Sequence, residues 1–357
     1  LSGDARPVGP LDEDAARAAA ERLDRLTKPP GSLGRLEALA IQLAGIRGAL
    51  VTDIRRPAIA VFAADHGVTA QGVSPYPSAV TRQMVANFLA GGAAVSVLAR
   101  AAGADLVVVD VGIAGEPIMA PASNEDAPSV RFEAARIADG TRDLSAEPAM
   151  TVLQAGAAIA AGRRVAGDLV DRGADLVALG EMGIGNTTAA SALVAALTGR
   201  PAADVTGRGT GLDAAGVQRK AALIDEALRR HRPASSDPMG TLARVGGLEI
   251  AALVGAIQET ASRRVPILLD GFITGAAALV AARLDPSLPP HLIAAHRSTE
   301  PGHRIALDTL GLDPVLDLDL RLGEGSGAAL AIPLVRAAAR ILGEMATFDE
   351  AAVSNRD

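Results

Sequence analysis

A glycine-rich segment, GEMGIGNTT at residues 180–188, has the residue types that bind a phosphate group. Its glycines let the backbone approach a ligand closely, and the helical stretch that follows offers free N–H groups to an anion. The frame Gly-x-x-x-x-Gly is that of a nucleotide-triphosphate loop, but Asn186 stands where that loop has Lys. We therefore expect a monophosphate rather than ATP; a tight turn with a Thr cap is the alternative. The phosphate-binding candidates here are Gly183, Gly185, Asn186, Thr187 and Thr188.

A second glycine-rich loop, TGRGTGLDAAGVQRK at residues 206–220, includes Gly209 and ends in Lys220. Lys220 lies about two turns into the helix that follows, about 10 Å from its start. Lys220 can therefore reach a phosphate held by the 183–188 loop more easily than it can reach the start of its own helix. Only two of the 34 basic residues are lysines, Lys28 and Lys220, which is consistent with sites that need a compact point charge. Chance survival of both lysines, and a solvated Lys220, are the alternatives.

Two glutamates follow apolar runs and are candidates for proton transfer. Glu324 lies between glycines in LDLDLRLGEGSG (316–327), with Leu322 close by. Aliphatic surroundings raise the pKa of a carboxyl because burial disfavours its charged form, and this suits a general base that takes a proton from a ring N–H. Glu181 is a second carboxylate at a strand end. The alternatives are that Glu324 caps the following helix and that Glu181 binds backbone N–H groups of its own loop.

A flat apolar ligand has a candidate slot in QGVSPYPSAVTRQMVANFLAGGAA (71–94), a Pro-rich loop that runs into an apolar helix. Ser74, Met84 and Phe88 can line this slot. Met84 and Phe88 are four residues apart and therefore lie on one helix face. An ordinary core stripe is the alternative.

The histidines do not predict a metal site. Asp65 and His66 are adjacent at a strand end and point in opposite directions, so we expect a turn-stabilising Asp65 rather than a dyad. His296 and His303 are seven residues apart, and helical rise would separate them by about 10 Å, too far to share a metal. The chain has no Cys and no HExxH pattern, so neither metal nor another cofactor is expected. Ser298 is a candidate for ribose or carboxylate contacts, with a solvated loop position as the alternative.

Short apolar runs alternate with Ala-rich helical stretches after residue 56, which predicts an α/β fold. Continuous apolar runs indicate strands buried on both faces, hence a parallel sheet covered by helices. Ligands bind at the carboxyl ends of such strands, where all the polar, glycine-rich segments lie, so we expect one composite active site. The candidate strands are residues 57–63, 105–111, 174–180, 265–270, 291–295 and 314–318. The polar stretch 115–150 is expected to be an irregular surface excursion.

Both ends of the chain are predicted to be helical, at residues 12–25, 34–48 and 326–345. Pro29 and its neighbours cannot continue a helix, so they separate the first helix from the second. The last helix is expected to pack on this N-terminal pair and to build a small helical domain with it.

Composition limits the partners. A net charge of −7 and only 2% aromatic residues do not suit a nucleic-acid-binding protein. No apolar run reaches the roughly 18 residues of a membrane span, and the N-terminus has no signal pattern. The chain is therefore expected to be cytoplasmic, without nucleic acid or membrane partners.

Eight segments in this order resemble the nicotinate-nucleotide:dimethylbenzimidazole phosphoribosyltransferases of cobalamin biosynthesis, from about residue 20 to the C-terminus. They are LTKPPGSLGRLE, AADHGV, SPYPSAVTRQMVANFLAGGAA, GEMGIGNTTAASAL, GRGTGLDAAGVQRK, LLDGFITGAAALVA, AHRSTEPGH and RLGEGSGAAL. The resemblance implies a six-stranded, mostly parallel Rossmann-like domain (51–325) and a small helical domain (1–50 with 326–357). It also implies a homodimer, with the base site near the partner.

The resemblance also assigns roles to residues. Glu324 matches the family's catalytic glutamate, and Glu181 matches a second acidic position. Gly183, Asn186, Thr187 and Lys220 match the phosphate-binding elements, whereas Ser74, Met84 and Leu322 fall where the family lines its base pocket. Some members have Gln where Met84 aligns, so the preferred base stays open.

The reaction implied is transfer of ribose 5-phosphate from nicotinate mononucleotide to a benzimidazole base, most simply 5,6-dimethylbenzimidazole, with Glu324 as general base. A related transferase acting on other bases or phenols is an alternative. A small-molecule kinase or a dinucleotide-dependent dehydrogenase is a rival that lacks the loop Lys and the Gly-x-Gly-x-x-Gly fingerprint. A non-catalytic nucleotide-binding protein is the other rival; it would bind the mononucleotide without releasing nicotinate.

Overall fold

A parallel β-sheet forms the centre of the protein in the computed structural model, which describes residues 7–118 and 130–354. Among these residues the strands lie in the order β3-β2-β1-β4-β5-β6, and each neighbouring pair is parallel. The predicted α/β class with a parallel sheet is confirmed. The strands are β1 Pro57–Ala64, β2 Asp105–Gly112, β3 Val130–Ala134, β4 Leu176–Met182, β5 Ile267–Leu269 and β6 Leu292–Ala294.

Helices cover both faces of this sheet. In chain order they are α1 Glu13–Arg25, α2 Arg35–Arg47, α3 Ala79–Leu89, α4 Ala94–Ala102, α5 Val152–Asp171, α6 Asn186–Thr198, α7 Ala202–Val205, α8 Ala214–His231, α9 Pro238–Val245, α10 Leu248–Ser262, α11 Phe272–Leu284, α12 Pro301–Leu310 and α13 Ser326–Glu344. Two short 3-10 helices lie at Gly67–Gln71 and Pro289–His291.

Strand β1 shows why the central strands are continuous apolar runs. All its residues are buried. Phe62 belongs to the hydrophobic cluster that includes α5 and α10, whereas its neighbour Val61 belongs to the cluster that includes α2, α4 and α13. Because successive strand side chains point to opposite faces, both faces of β1 need apolar residues.

The strand predicted at 314–318 is wrong. Leu316 makes only an isolated bridge with His296. The observed strand that none of the predicted runs covers is β3. It lies at an edge of the sheet, within the stretch 115–150 that was expected to be irregular. Its residues are half-buried or exposed, so it lacks the continuous apolar run that marks the buried strands. Residues 119–129 of that stretch lie outside the described residues.

The helices from the two chain ends lie together. Helix α13 shares a hydrophobic cluster with α1 and α2, and Arg22 Nε donates to the Leu342 carbonyl at 2.7 Å. The break between α1 and α2 is held by Lys28, whose Nζ lies 2.8 Å from Glu37 Oε1 in a buried ion pair. The same cluster includes Val61 of the sheet, so the division into a small and a large domain stays a prediction.

Helices α5 and α10 cross at two glycines. A Cβ atom added to Gly162 would lie 1.8 Å from the Ala252 carbonyl oxygen, and one added to Gly255 would lie 1.9 Å from that of Ile159. No side chain fits at either position, so the two helix backbones are in direct contact beneath the sheet.

The expectation that no segment resembles a membrane span is wrong by length and composition. Within residues 7–118 and 130–354, two helical stretches, Ala79–Ala102 and Ser326–Glu344, are long and apolar enough to cross a membrane. The first is divided into α3 and α4, and the second is α13, whose Ile332 is fully buried. Core helices of soluble proteins meet the same test, so the absence of a membrane partner stays a prediction.

Candidate active site

A cavity of about 400 Å³ opens at the carboxyl ends of β4, β5 and β6. Its walls come from segments far apart in the chain, which the parallel sheet brings to one edge. The predicted site residues that line it are Met84, Glu181, Gly183, Asn186, Thr187, Gly209, Ser298, Leu322 and Glu324.

Glu324 lines this cavity from a turn directly before α13. Its backbone has φ 65°, and the flanking Gly323 and Gly325 also have positive φ. The residue is 5% exposed, and its Oε2 has no hydrogen-bond partner among the described residues. Burial raises the pKa of the Glu324 carboxyl to about 7, and the nearby Asp270 carboxyl adds to the rise. The carboxyl can therefore accept a proton near neutral pH.

The alternative role of Glu324 as a helix cap does not apply. The N-cap residue of α13 is Gly325, which has no side chain with which to cap the helix. Two N–H groups at this end, those of Gly325 and Ala328, instead donate to the carboxylate of Asp270 at 3.1 Å and 3.0 Å. The Glu324 carboxyl is thus left free to face the cavity.

Glu181 is the second buried carboxyl of the cavity. Asn186 Nδ2 donates to Glu181 Oε2, so this glutamate binds a side chain rather than the backbone of its loop. Burial raises the pKa of Glu181 to about 8, with Asp270, Glu249 and Glu324 adding to the rise. Both carboxyls therefore keep their protons to a higher pH than an exposed glutamate, and the pKa of Glu181 is raised further than that of Glu324. Carboxyls whose pKa values are pushed apart can take different proton-transfer roles.

Lys220 is buried next to Thr187, a residue that lines the cavity. Its Nζ donates to Thr187 Oγ1 at 2.7 Å, so it reaches the 180–188 loop from α8. Lys220 is 1% exposed, which excludes a solvated surface charge. Burial lowers the pKa of Lys220 to about 8, opposed by the nearby Glu300 carboxylate. The lysine does not line the cavity itself, but its partner Thr187 does.

Other predicted site residues lie outside the cavity. Thr188 and Phe88 are fully buried on helices α6 and α3 and do not line the cavity, so their ligand contacts stay predictions. Gly185 does not line the cavity either and serves as the N-cap of α6 with φ 96°. Ser74 Oγ is hydrogen-bonded at 2.8 Å to the hydroxyl of Thr210, which does line the cavity.

The histidines form pairs that the sequence did not predict. His66 Nε2 lies 2.7 Å from Glu249 Oε1 in a fully buried pair. Asp65 Oδ2 accepts from the N–H of Ala114, 49 positions along the chain, so this bond joins two distant segments and is not the expected turn contact. The rings of His296 and His303 are 6.1 Å apart. The expected separation of about 10 Å is wrong because α12 begins only at Pro301, so helical rise does not separate them.

Three carboxyl groups at the site were missed. Asp270 follows β5, Glu249 lies in the first turn of α10, and Glu300 accepts from the Gly209 N–H at 2.8 Å. A lone Glu in the apolar run LEIAALVGAI was a usable signal for Glu249, since an unpaired charge is rarely buried.

Comparison with known proteins agrees with this geometry. A family model described as phosphoribosyltransferase matches residues 8–353. The nicotinate-nucleotide–dimethylbenzimidazole phosphoribosyltransferase of Chloroflexus aggregans is 55% identical over 98% of this chain and 96% of its own length. That of Roseiflexus sp. is 54% identical over the same shares, 98% and 96%.

A solved structure points to the same relatives. The crystal structure of the nicotinate-nucleotide–dimethylbenzimidazole phosphoribosyltransferase from Thermus thermophilus is 47% identical, with a TM-score of 0.89. The match covers 97% of this chain and 100% of that chain. The chain therefore belongs to the family of nicotinate-nucleotide–dimethylbenzimidazole phosphoribosyltransferases.

Proposed function

We propose that this protein transfers the ribose 5-phosphate of nicotinate mononucleotide to 5,6-dimethylbenzimidazole or a related base. The products are the α-ribazole 5'-phosphate and nicotinate, in the assembly of the nucleotide loop of cobalamin. One observation carries the proposal: an unpaired, buried Glu324 carboxyl with a pKa of about 7 lies in the same cavity as a loop backed by Lys220. A proton acceptor and an anion site are what this transfer needs.

The reaction replaces one C–N bond of the sugar by another. A ring nitrogen of the base attacks the anomeric carbon while the bond to the nicotinate nitrogen breaks, and its electron pair neutralises the positive pyridinium ring. Glu324 takes the proton from the other ring nitrogen of the base. Attack opposite to the leaving group inverts the β-linkage to the α-product. Protonated Glu181 limits the negative charge beside the developing product.

The phosphate and the base occupy opposite ends of the cavity in this proposal. The phosphate binds the loop of Gly183 and Thr187, with Lys220 behind it and Ser298 and Gly209 beside it. The base lies between Met84 and Leu322, with Tyr76 and Val80 in the same wall. Holding both substrates in reactive geometry supplies much of the rate.

We also propose that the protein is a cytoplasmic homodimer. Two large side chains that line the cavity are exposed, Tyr76 by 53% and Leu322 by 57%. A second copy that covers them would also close the base end of the cavity. Light scattering of the purified protein tests this part, and a monomer at micromolar concentration would contradict it.

The test of the reaction is nicotinate release from nicotinate mononucleotide, with and without 5,6-dimethylbenzimidazole. We expect base-dependent release that falls by about 10²- to 10⁴-fold in Glu324→Gln, with mononucleotide binding retained. Release unaffected by the substitution would keep the reaction and remove Glu324 as the base. A folded protein that binds the mononucleotide and releases no nicotinate with any benzimidazole would be a binding protein instead.

A further inference from the structure

Asp270 is fully buried at the end of β5 and contacts the start of α13. Its two carboxylate oxygens accept from different N–H groups of that helix end, Oδ2 from Gly325 and Oδ1 from Ala328. These groups are among those at a helix N-terminus that lack a partner within the helix. One carboxylate therefore joins the central sheet to the residue directly after Glu324.

The backbone at Glu324 needs such a restraint. Residues 323, 324 and 325 have φ 80°, 65° and 84°, and the left-handed region costs a residue other than glycine on the order of 1 kcal/mol. A conformation of this kind persists where surrounding contacts hold it. Ser326 Oγ donates to the Gly323 carbonyl at 2.7 Å on one side of the turn, and Asp270 binds the other side.

We propose that Asp270 is the positioning residue for the general base: it fixes the start of α13 to β5 and so keeps the Glu324 carboxyl facing the cavity. The proposal rests on the proposed function, since it assigns Asp270 a role only through Glu324. His296 supports the arrangement, because its Nε2 lies 3.7 Å from Asp270 Oδ1.

The pH dependence of the rate distinguishes a positioning role of Asp270 from a merely structural one, because the Asp270 carboxylate also raises the pKa of Glu324. The Asp270 carboxylate after β5 and Glu181 in β4 both interact electrostatically with Glu324, and His296 lines the same cavity and lies 3.7 Å from Asp270. Burial raises the pKa of Asp270, whereas His296 and the backbone N–H groups of α13 oppose that rise. Replacing the carboxylate by an amide removes a negative neighbour of Glu324, so the acid limb of the rate profile moves to lower pH.

The experiment is a double-mutant cycle with wild type, Asp270→Asn, Glu324→Gln and the double variant, assayed by base-dependent nicotinate release. We expect Asp270→Asn alone to lower kcat on the order of 10²-fold, the cost of a misplaced group, with the KM for nicotinate mononucleotide unchanged. In the Glu324→Gln background the same change should lower kcat by less than about twofold, since residues that act as one unit are not additive.

Asp237→Asn is the matched control, because Asp237 caps α9 through the Gly240 N–H at 2.9 Å and does not line the cavity. Losses that multiply in the double variant, or an unchanged kcat in Asp270→Asn, would overturn the proposal while the proposed function stands. A wild type without release would instead refute the proposed function, and this inference with it. If Asp270→Asn does not fold, Asp270→Ser takes its place; failure of both to fold would make Asp270 a folding residue and reject the proposal.

Discussion

Lys220 Nζ and Thr187 Oγ1 lie 2.7 Å apart, so a cation of α8 meets the first turn of α6 inside the protein. The side chain of Thr187 also faces the cavity. In the proposed function, the N–H groups at the start of α6 and the ammonium group behind them therefore act on the same phosphate.

Replacement of Lys220 by Met should weaken the binding of nicotinate mononucleotide. A hydrogen bond to a charged group contributes about 1.5–3 kcal/mol, so we expect Kd to rise by about 10- to 100-fold. Isothermal titration of the mononucleotide measures this directly. Arg219→Met is the matched control, since Arg219 is the exposed neighbour on the same helix. Equal Kd values for wild type and Lys220→Met would remove Lys220 from the phosphate site.

Mononucleotide binding should also weaken at alkaline pH. The pKa of Lys220 is lowered by burial to about 8, so the ammonium group loses its proton, and with it the charge, as the pH rises through 8. Kd measured between pH 6.5 and 9.5 should increase above this value. In Lys220→Met the alkaline increase should be absent, and an increase that persists in the variant would assign it to another group.

The rate should fall on the acid side at an unusually high pH. Glu324 acts as a base only when ionised, and burial raises its pKa from 4.5 to about 7. We therefore expect the kcat/KM for nicotinate release to decrease about tenfold per pH unit below pH 7. Two benzimidazoles of different basicity should give the same midpoint. A midpoint near 4.5 would show that the carboxyl is solvated in the working enzyme.

Stability should depend on Glu181 in the alkaline range. Its pKa is raised from 4.5 to about 8 by burial, so the folded state keeps a proton that the unfolded state has lost. This contribution is complete below pH 4.5 and is lost as the pH rises through 8. Glu181→Gln cannot ionise, and we expect its Tm relative to wild type to increase by about 3 °C between pH 5 and 9. Exposed Glu21→Gln should show no such trend; a constant Tm difference for Glu181→Gln would count against a buried, protonated Glu181.

The crossing of α5 and α10 should not tolerate a methyl group. A Cβ at Gly255 would lie 1.9 Å from a backbone carbonyl oxygen, so the helices must separate, and overpacking of this kind costs about 1–3 kcal/mol. We expect Gly255→Ala to lower the Tm by several degrees in calorimetry. Gly167→Ala on α5 is the control, because its Cβ would make ordinary contact at 3.5 Å with a flexible Glu259. Similar Tm values for both variants would mean that the crossing can adjust.

The sequence predicted the elements whose signal is local. Five of the predicted strands overlap the observed ones, because strands buried on both faces are continuous apolar runs. Strand β3 was missed because it is an edge strand with half-exposed residues in a polar stretch. The run at 314–318 was apolar enough to resemble a strand, but Leu316 pairs with His296 alone.

The site was predictable where one segment carries its own chemistry. The glycine-rich loops and the Gly–Glu–Gly turn predicted that Gly183, Thr187 and Glu324 would lie at the ligand site, and all three line the cavity. Contacts between distant segments left no such signal: Asp270 meets α13 across 55 positions, and His66 meets Glu249 across 183. Phe88 lies in the core and does not line the cavity; a helix stripe does not reveal which of its residues point to a ligand and which to the core.

Helix α13 runs for 19 residues from the Glu324 turn to the N-terminal helices. At 1.5 Å per residue its two ends are about 28 Å apart. Its far end is held by the bond from Arg22 to the Leu342 carbonyl, and its near end by Asp270. If Glu324 is the general base, as proposed, damage to the first helix of the chain is expected to disturb the Glu324 turn without any contact with substrate. A loss of turnover in an N-terminally trimmed or loosened protein then does not by itself locate the damage in the cavity.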